Sequence, residues 1–225
     1  MFGLPEYGGT CPGATMGAGG CIALKKEGGK VKTCYMDKLA KAYPALGESL
    51  KFNTEQLKNK SIDEMVVSLT EMMQLFINKG AGNIFYFRLH YSGDFFSVDY
   101  VKAWDIVLKR FPEIQFWVYT RSFDLFNEFD PIELLSKNDN ITIFLSVDPI
   151  NKDRGFKLYN DKYINTRNVG LAWMGNTQPE GHRWVTCPET SGKIKNGPTI
   201  GACAKCRLCV DNYKHKVKNI QFLIH

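Results

Sequence analysis

No apolar run in this 225-residue chain reaches the ~18 residues that a membrane-spanning helix needs. The start, MFGLPEYGGTCPG, has neither the charged n-region nor the apolar h-region of a secretory signal. Both absences make a cytoplasmic address the expectation, with no membrane partner. Internal repeats and low-complexity tracts are missing, and no linker divides the chain, so residues 1–225 read as a single domain. A hydrophobic content of 44% with 15 Phe excludes wholesale disorder, and the length is enough to bury a full core. Charge of one sign is only in modest excess: 29 Lys plus Arg against 23 Asp plus Glu leave +6. That permits a nucleic-acid partner without demanding one.

Cysteine is absent from the whole middle of the chain. Cys11, Cys21 and Cys34 lie at one end, Cys187, Cys203, Cys206 and Cys209 at the other. Core cysteines would be scattered through strands and helices. An odd count of 7 leaves a thiol over in any full disulfide pairing, and a cytoplasm keeps thiols reduced. Metal ligation explains the placement better.

Cys203-Ala-Lys-Cys206-Arg-Leu-Cys209 is a C-x2-C-x2-C run, which offers three thiolates from one loop to three corners of a [4Fe–4S] cluster. The fourth ligand must come from elsewhere. Ferredoxin-type sites take a cysteine followed by proline, and both Cys187-Pro188 and Cys11-Pro12 have that form. Cys187 is the leading candidate, with Cys11 and Cys34 as rivals. Zinc is the alternative metal, although its tetrahedral sites more often use two separated C-x2-C pairs. Lys205, Arg207, Lys214, Lys216 and Lys218 crowd the same stretch. They would balance an anionic cluster, form a solvated face, or bind phosphate. The trio Cys11-x9-Cys21-x12-Cys34 matches no compact metal motif.

Between the cysteines the pattern alternates. Residues 1–35 form a glycine- and cysteine-rich loop segment. Ser61 and Glu64 form a capping box, followed by Met65, Leu69, Met72, Met73 and Phe76 on one helical face, with Lys79-Gly80 as its C-cap. The β/α core runs over 83–187. Strands are expected at Ile84–His90, Gln115–Thr120, Ile141–Val147, Asn168–Met174 and Arg183–Cys187. Ser97 caps a helix that turns Val101, Trp104, Val107, Leu108 and Phe111 inward, and Asp130 with Pro131 opens another. Residues 149–167 read as a long loop or irregular crossover. A basic cysteine-rich segment, 187–218, leads to a final strand in 219–225. The expected fold is α/β, an incomplete TIM-like (β/α) barrel of about six parallel strands, since ~250 residues are typical of a full one.

In such folds ligands sit at the C-terminal strand ends. Those ends carry His90, Asp94, Arg121 and Asp148, a set suited to acid–base work and to clamping an anion, which makes them candidate catalytic residues. Turn, cap and ion-pair roles compete for each of them individually. The glycine-rich GATMGAGG of residues 13–20 lacks both the Walker lysine and the Rossmann spacing.

CPGAT at Cys11, TCY at Cys34, RLHYSGDFFS from Arg88, FWVYTRS from Phe116, LSVD from Leu145, and CPE with CAKCRLC together resemble the phage family called gene product eighty-eight. The resemblance spans most of the chain. It implies a phage-encoded, cysteine-rich protein of a bacterial cytoplasm and carries no activity with it. A partial barrel with cysteines at both ends also resembles radical S-adenosylmethionine enzymes with an auxiliary cluster. Those enzymes usually carry C-x3-C-x2-C near the first strand, and this chain has no such triplet. The expectation is therefore an iron–sulfur protein acting on a small molecule or a redox partner, with S-adenosylmethionine chemistry not assigned. Its rival is a zinc-stabilised protein that binds nucleic acid or a host protein through the basic stretch.

Overall fold

The computed structural model describes residues 2–5, 9–15, 36, 39, 42–79, 85–195, 197, 201–210 and 218–223. Cys21, Cys34, Gly80, Lys214 and Lys216 lie outside them, as does the start of the first expected strand at Ile84. Along the chain come α1 (Pro12–Thr15), α2 (Pro44–Glu55), α3 (Ile62–Asn78), β1 (Tyr86–Arg88), α4 (Val98–Arg110), β2 (Gln115–Thr120), α5 (Pro131–Leu135), β3 (Ile141–Val147), α6 (Lys152–Leu158), β4 (Val169–Met174), β5 (Val185–Thr186), α7 (Ala202–Cys206) and β6 (Asn219–Phe222).

The six strands form one sheet in the order β1-β2-β3-β4-β6-β5, and every pairing is parallel. The sheet curls into a half-barrel. Strand β6 enters between β4 and β5, so the last two strands are out of sequence order. β3 and β4 are buried along almost their whole length, as strands covered on both faces must be.

Side-chain alternation divides the two faces. Phe87, Phe116, Val118, Ile143, Leu145, Val147, Val169 and Leu171 join the main core with Met65, Leu69 and Met73 of α3 and Val101, Trp104 and Leu108 of α4. The opposite face carries a smaller cluster of Phe144, Ala172, Cys187 and Ile220, against which Tyr119, Leu208, Cys209 and Phe222 pack. The C-terminal cysteine segment thus lies against the face that the main core does not occupy.

The helix starts follow their capping residues. Ser61 accepts from the Glu64 amide while Glu64 accepts from the Ser61 amide, completing the capping box. Ser97 accepts from the amide of Tyr100, and Asp130 from those of Ile132 and Glu133. Of the two forms expected for residues 149–167, the structure takes the irregular crossover. Residues 149–167 are not a loop: α6 runs directly into a π-helical turn over Tyr159–Tyr163. Tyr159 and Tyr163 are buried there, and the Tyr163 hydroxyl donates to Asp130 at 2.5 Å. Tertiary packing of two tyrosines holds a segment whose polar composition hid its period.

The N-terminal strip runs across the ends of β1 and β2. Phe2 donates its amide to the Arg88 carbonyl, Leu4 to Ser92, and Asp94 to Thr10. At Gly93, φ is +76° and a Cβ would lie 2.5 Å from that of Leu4, so only glycine allows the strip to close down here. At Gly13 a Cβ would lie 2.6 Å from the Cβ of Arg121, which seats α1 directly on the end of β2.

Candidate metal centre and strand-end network

Cys187 directly follows β5, and its amide donates to the Gln221 carbonyl at 2.7 Å, continuing the β5–β6 pairing. Its own carbonyl accepts from the Ser191 amide and the Thr190 hydroxyl, which folds Cys187-Pro188-Glu189-Thr190 into a turn. Cys203 and Cys206 sit on the short helix α7. Arg207 then takes the left-handed conformation, φ 61°, and donates its amide to the Cys203 carbonyl. This reverses the chain and brings Cys209 back toward the sheet. The Thr142 hydroxyl of β3 donates to the Val210 carbonyl at 3.1 Å and pins the end of the run.

All four C-terminal cysteines line one cavity, together with Trp117, Tyr119, Glu189, Arg207, Ile220 and Phe222. Cys187 is buried, Cys206 and Cys209 half-buried, and Cys203 exposed. Desolvation, with the charges of Cys187, Cys203 and Cys206, pushes the Cys209 thiol up to about 12, against the nearby Tyr119 hydroxyl, which favours the thiolate. Burial likewise raises Cys203, which the Arg88 guanidinium pulls down and Cys187, Glu189 and Cys206 push up. The four thiols therefore feel one another. Among the described residues, no three of His, Cys, Asp or Glu converge closely enough to hold a single metal ion.

Cys11 stands at the start of α1, over the end of β2, and does not line this cavity. Cys21 and Cys34 lie outside the described residues. Of the basic stretch, Arg207 places its guanidinium 4.4 Å from the centre of the Tyr86 ring. Lys218 donates to the carbonyls of Ile164 and Thr166 at 2.8 and 3.2 Å, so its ammonium is engaged with backbone.

The strand-end residues His90, Asp94, Arg121 and Asp148 are all buried. Three form one network. Asp94 accepts from the Thr120 hydroxyl, the Phe95 amide and the Arg121 amide, the last at 2.6 Å. Arg121 pairs with Asp148 through its guanidinium, and Asp148 also accepts from the amides of Ile150 and Asn151. Desolvation pushes the Asp94 carboxyl up, while its donors pull it down. The Ser122 hydroxyl beside them donates to the Phe95 carbonyl. His90 stands apart, with Nε2 3.0 Å from the Tyr100 hydroxyl and its ring against Phe2, Phe95 and Trp104. Burial, helped by the charge of Arg88, lowers its pKa to about 3.

The family model described as Gene product 88 matches residues 1–212. The chain belongs to the Gene product 88 family. The Gene 88 protein of Mycobacterium phage D29 is 32% identical over 95% of this chain and 83% of its own. That of Mycobacterium phage L5 is 31% identical over 95% and 84%. No solved structure matches the chain. The region matched by the Gene product 88 model includes all four cavity cysteines and every strand-end candidate, and it ends before Lys214, Lys216 and Lys218.

Sequence reasoning missed Arg88, Trp117 and Tyr119 as parts of the cysteine site. Their period-two placement on β1 and β2 was the available signal, because it sets Trp117 and Tyr119 on one face and Phe116 and Val118 on the other. Nothing local says which face the cysteines approach.

Proposed function

We propose that this Gene product 88 protein is a phage-encoded iron–sulfur protein of the host cytoplasm, holding one [4Fe–4S] cluster through Cys187, Cys203, Cys206 and Cys209. The observation that carries the reading is that a cysteine just after β5 and three from the distant C-x2-C-x2-C segment line a single cavity. Thiolates bound to one Zn²⁺ at about 2.3 Å would stand ~3.8 Å from one another. A cubane spreads its ligands over separate corners. The C-x2-C-x2-C run with one distant cysteine favours the cluster over a single zinc ion, whose sites more often use two separated C-x2-C pairs.

A bound cluster supplies one-electron transfer, or Lewis acidity at an iron left without a cysteine. The chain's own residues do the rest. β5–β6 pairing fixes Cys187, and Phe144, Ile220 and Phe222 keep water from the sheet side of the cavity. Trp117, whose buried Nε1–H has no partner among the described residues, adds apolar ring surface to the same wall. Cys187 is favoured over Cys11 as fourth ligand because only Cys187 reaches this wall.

We read the curled sheet as an incomplete TIM-like barrel. Its strand order, with β6 between β4 and β5, departs from the consecutive order of a TIM barrel, and no S-adenosylmethionine chemistry is assigned to it. The four strand-end residues are retained as the candidate site for a small-molecule substrate. Anaerobic purification with iron, sulfide and zinc analysis and electron paramagnetic resonance tests the reading. Four irons and four sulfides per chain with a cubane spectrum are expected. Colourless protein with stoichiometric zinc after anaerobic iron reconstitution overturns it.

A further inference from the structure

Two of the cavity cysteines lie one turn apart on the same short helix. Cys203 and Cys206 both belong to α7, and the Arg207 amide donates to the Cys203 carbonyl at 2.9 Å, which closes the turn that joins them. Helical geometry sets Cα atoms three residues apart at about 5 Å. Disulfides close over Cα separations of roughly 4.4–6.8 Å. Residues at this spacing share a helix face, and both of these side chains line the one cavity.

The other two cavity thiols are placed differently. Arg207, with φ 61°, ends the helix directly after Cys206, and Cys209 beyond it packs against the cluster of Phe144 and Ile220. Cys187 is 8% exposed and is tied to β6 through its own amide. Cys203 is exposed and Cys206 half-buried. A small molecule arriving from solvent therefore meets Cys203 first, with Cys206 behind it on the same turn. Backbone hydrogen bonds already order that turn, so joining its ends costs little further chain entropy. A disulfide with an exposed sulfur is of the readily reversible kind. In a reducing compartment such disulfides are usually transient, and serve catalysis or redox sensing.

We propose that Cys203 and Cys206 form a reversible dithiol–disulfide pair that exchanges with a small soluble disulfide. The Cys203 thiolate attacks one sulfur of that disulfide, whose S–S bond breaks, and the first small thiolate leaves with the bonding pair. The Cys206 thiolate then attacks the Cys203 sulfur of the mixed disulfide. The Cys203–Cys206 bond forms and the second small thiolate departs. Two protein thiols are oxidised, one small disulfide is reduced to two thiols, and the two protons lost by the protein pass through solvent to those thiols. Excess small thiol runs the same steps backwards. The exchange needs no metal and goes beyond the iron–sulfur reading. Its consequence for that site rests on the reading: the disulfide withholds two of the four cluster ligands, so cluster and disulfide exclude each other.

The test uses the full chain, stripped of metal with a chelator, fully reduced, and equilibrated anaerobically in mixtures of oxidised and reduced glutathione. Acid quenching, alkylation and tryptic peptide mass spectrometry follow. Trypsin cuts after Lys205 and Arg207, so Cys203, Cys206 and Cys209 fall on separate peptides. In the oxidising mixtures wild type is expected to lose two free thiols. The Cys203 and Cys206 peptides should be recovered joined, and dithiothreitol should part them. Cys206→Ser should stop at a glutathione adduct on Cys203, because the second attack is missing. Wild type that keeps its thiols free, stops at the adduct or joins a different pair overturns the inference. Should Cys206→Ser not fold, the joined peptides of wild type decide. Protein loaded beforehand with iron and sulfide should resist the same mixtures. A chain that forms the pair but takes up no iron when reduced overturns the iron–sulfur reading and leaves the exchange standing. A loaded chain that forms the disulfide with its cluster in place overturns the mutual exclusion.

Discussion

Arg121 at the end of β2 and Asp148 at the end of β3 form a buried ion pair, with side-chain exposures of 9% and 0%. The same arginine donates its backbone amide to Asp94, so one residue links three strand ends. Both partners fit a ligand-binding role in the sequence. Their hydrogen bonding also gives them a structural one, since Asp148 ties down the turn into α6 through the amides of Ile150 and Asn151.

Removing one partner should therefore be costly. Asp148→Ala leaves the Arg121 guanidinium buried without its counter-charge and frees two amides, and is expected to lose about 3–5 kcal/mol. The double variant Arg121→Met with Asp148→Leu should lose less than Asp148→Ala, because apolar replacements of a buried pair leave no charge unpaired. Urea unfolding of the three proteins checks this. Single and double variants of equal stability would show that the pair does not hold the strand ends together.

His90 makes stability depend on pH. Its pKa is held at about 3 by burial, against the ordinary 6.5 expected in the unfolded chain. Between those values the unfolded chain binds a proton that the folded protein does not. Stability is therefore complete above pH 6.5 and falls as pH drops toward 3, by up to about 1.4 kcal/mol per pH unit. His90→Gln should flatten the slope below pH 6 by one proton, measured by urea unfolding from pH 4.5 to 7.5. Asp94, whose raised pKa works in the opposite sense, and His182, which burial also lowers, remain in both proteins and cancel from the comparison. Equal slopes would mean that His90 is not buried neutral.

Much of this was legible in the sequence, for local reasons. QFWVYT and ITIFLSV are strands to the residue, because aromatic and β-branched runs end there at polar turn residues. Ser61, Ser97 and Asp130 cap helices where their spacing says they should. The π-helical turn at Tyr159–Tyr163 was not legible, because its stability comes from burial of two tyrosines and from Asp130, far away in sequence. Nor was the place of β6, which depends on pairing between segments around residues 171, 185 and 219. The C-x2-C-x2-C run showed which thiols act together. It could not show that Trp117 and Tyr119 face them, because alternation sets two residues on one face without saying what covers it.

Lys218 separates the iron–sulfur reading from the nucleic-acid one. A lysine that binds phosphate must be free to reach it, whereas the Lys218 ammonium donates to Ile164 and Thr166, and burial lowers its pKa. Lys218→Gln should cost about 1–2 kcal/mol of stability. Any affinity for DNA should keep the same salt dependence, since loss of one phosphate contact would reduce the slope of log K against log salt by about 0.9. A reduced slope with unchanged stability would favour the nucleic-acid reading.

Thiol labelling tests the ligand set directly. Without metal, Cys203 is the most exposed of the four cavity cysteines and should alkylate first, although burial raises its thiol as well. Cys209, with its thiol pushed up to about 12, presents only about one thiolate in 10⁴ at pH 8 and should label slowly. Anaerobic loading with iron and sulfide should then protect Cys187, Cys203, Cys206 and Cys209 together, while Cys11 labels at its metal-free rate; mass spectrometry of the alkylated peptides reads all five. Protection of Cys11 in place of Cys187 would move the fourth ligand to the strand ends, close to Arg121 and Asp148. The centre would then bridge the cysteine-bearing face of the sheet and the buried ionic network, and Arg121→Met with Asp148→Leu would disturb its spectrum. With Cys187 as ligand that spectrum stays unchanged, because β5 and the cavity wall hold the site without help from the network.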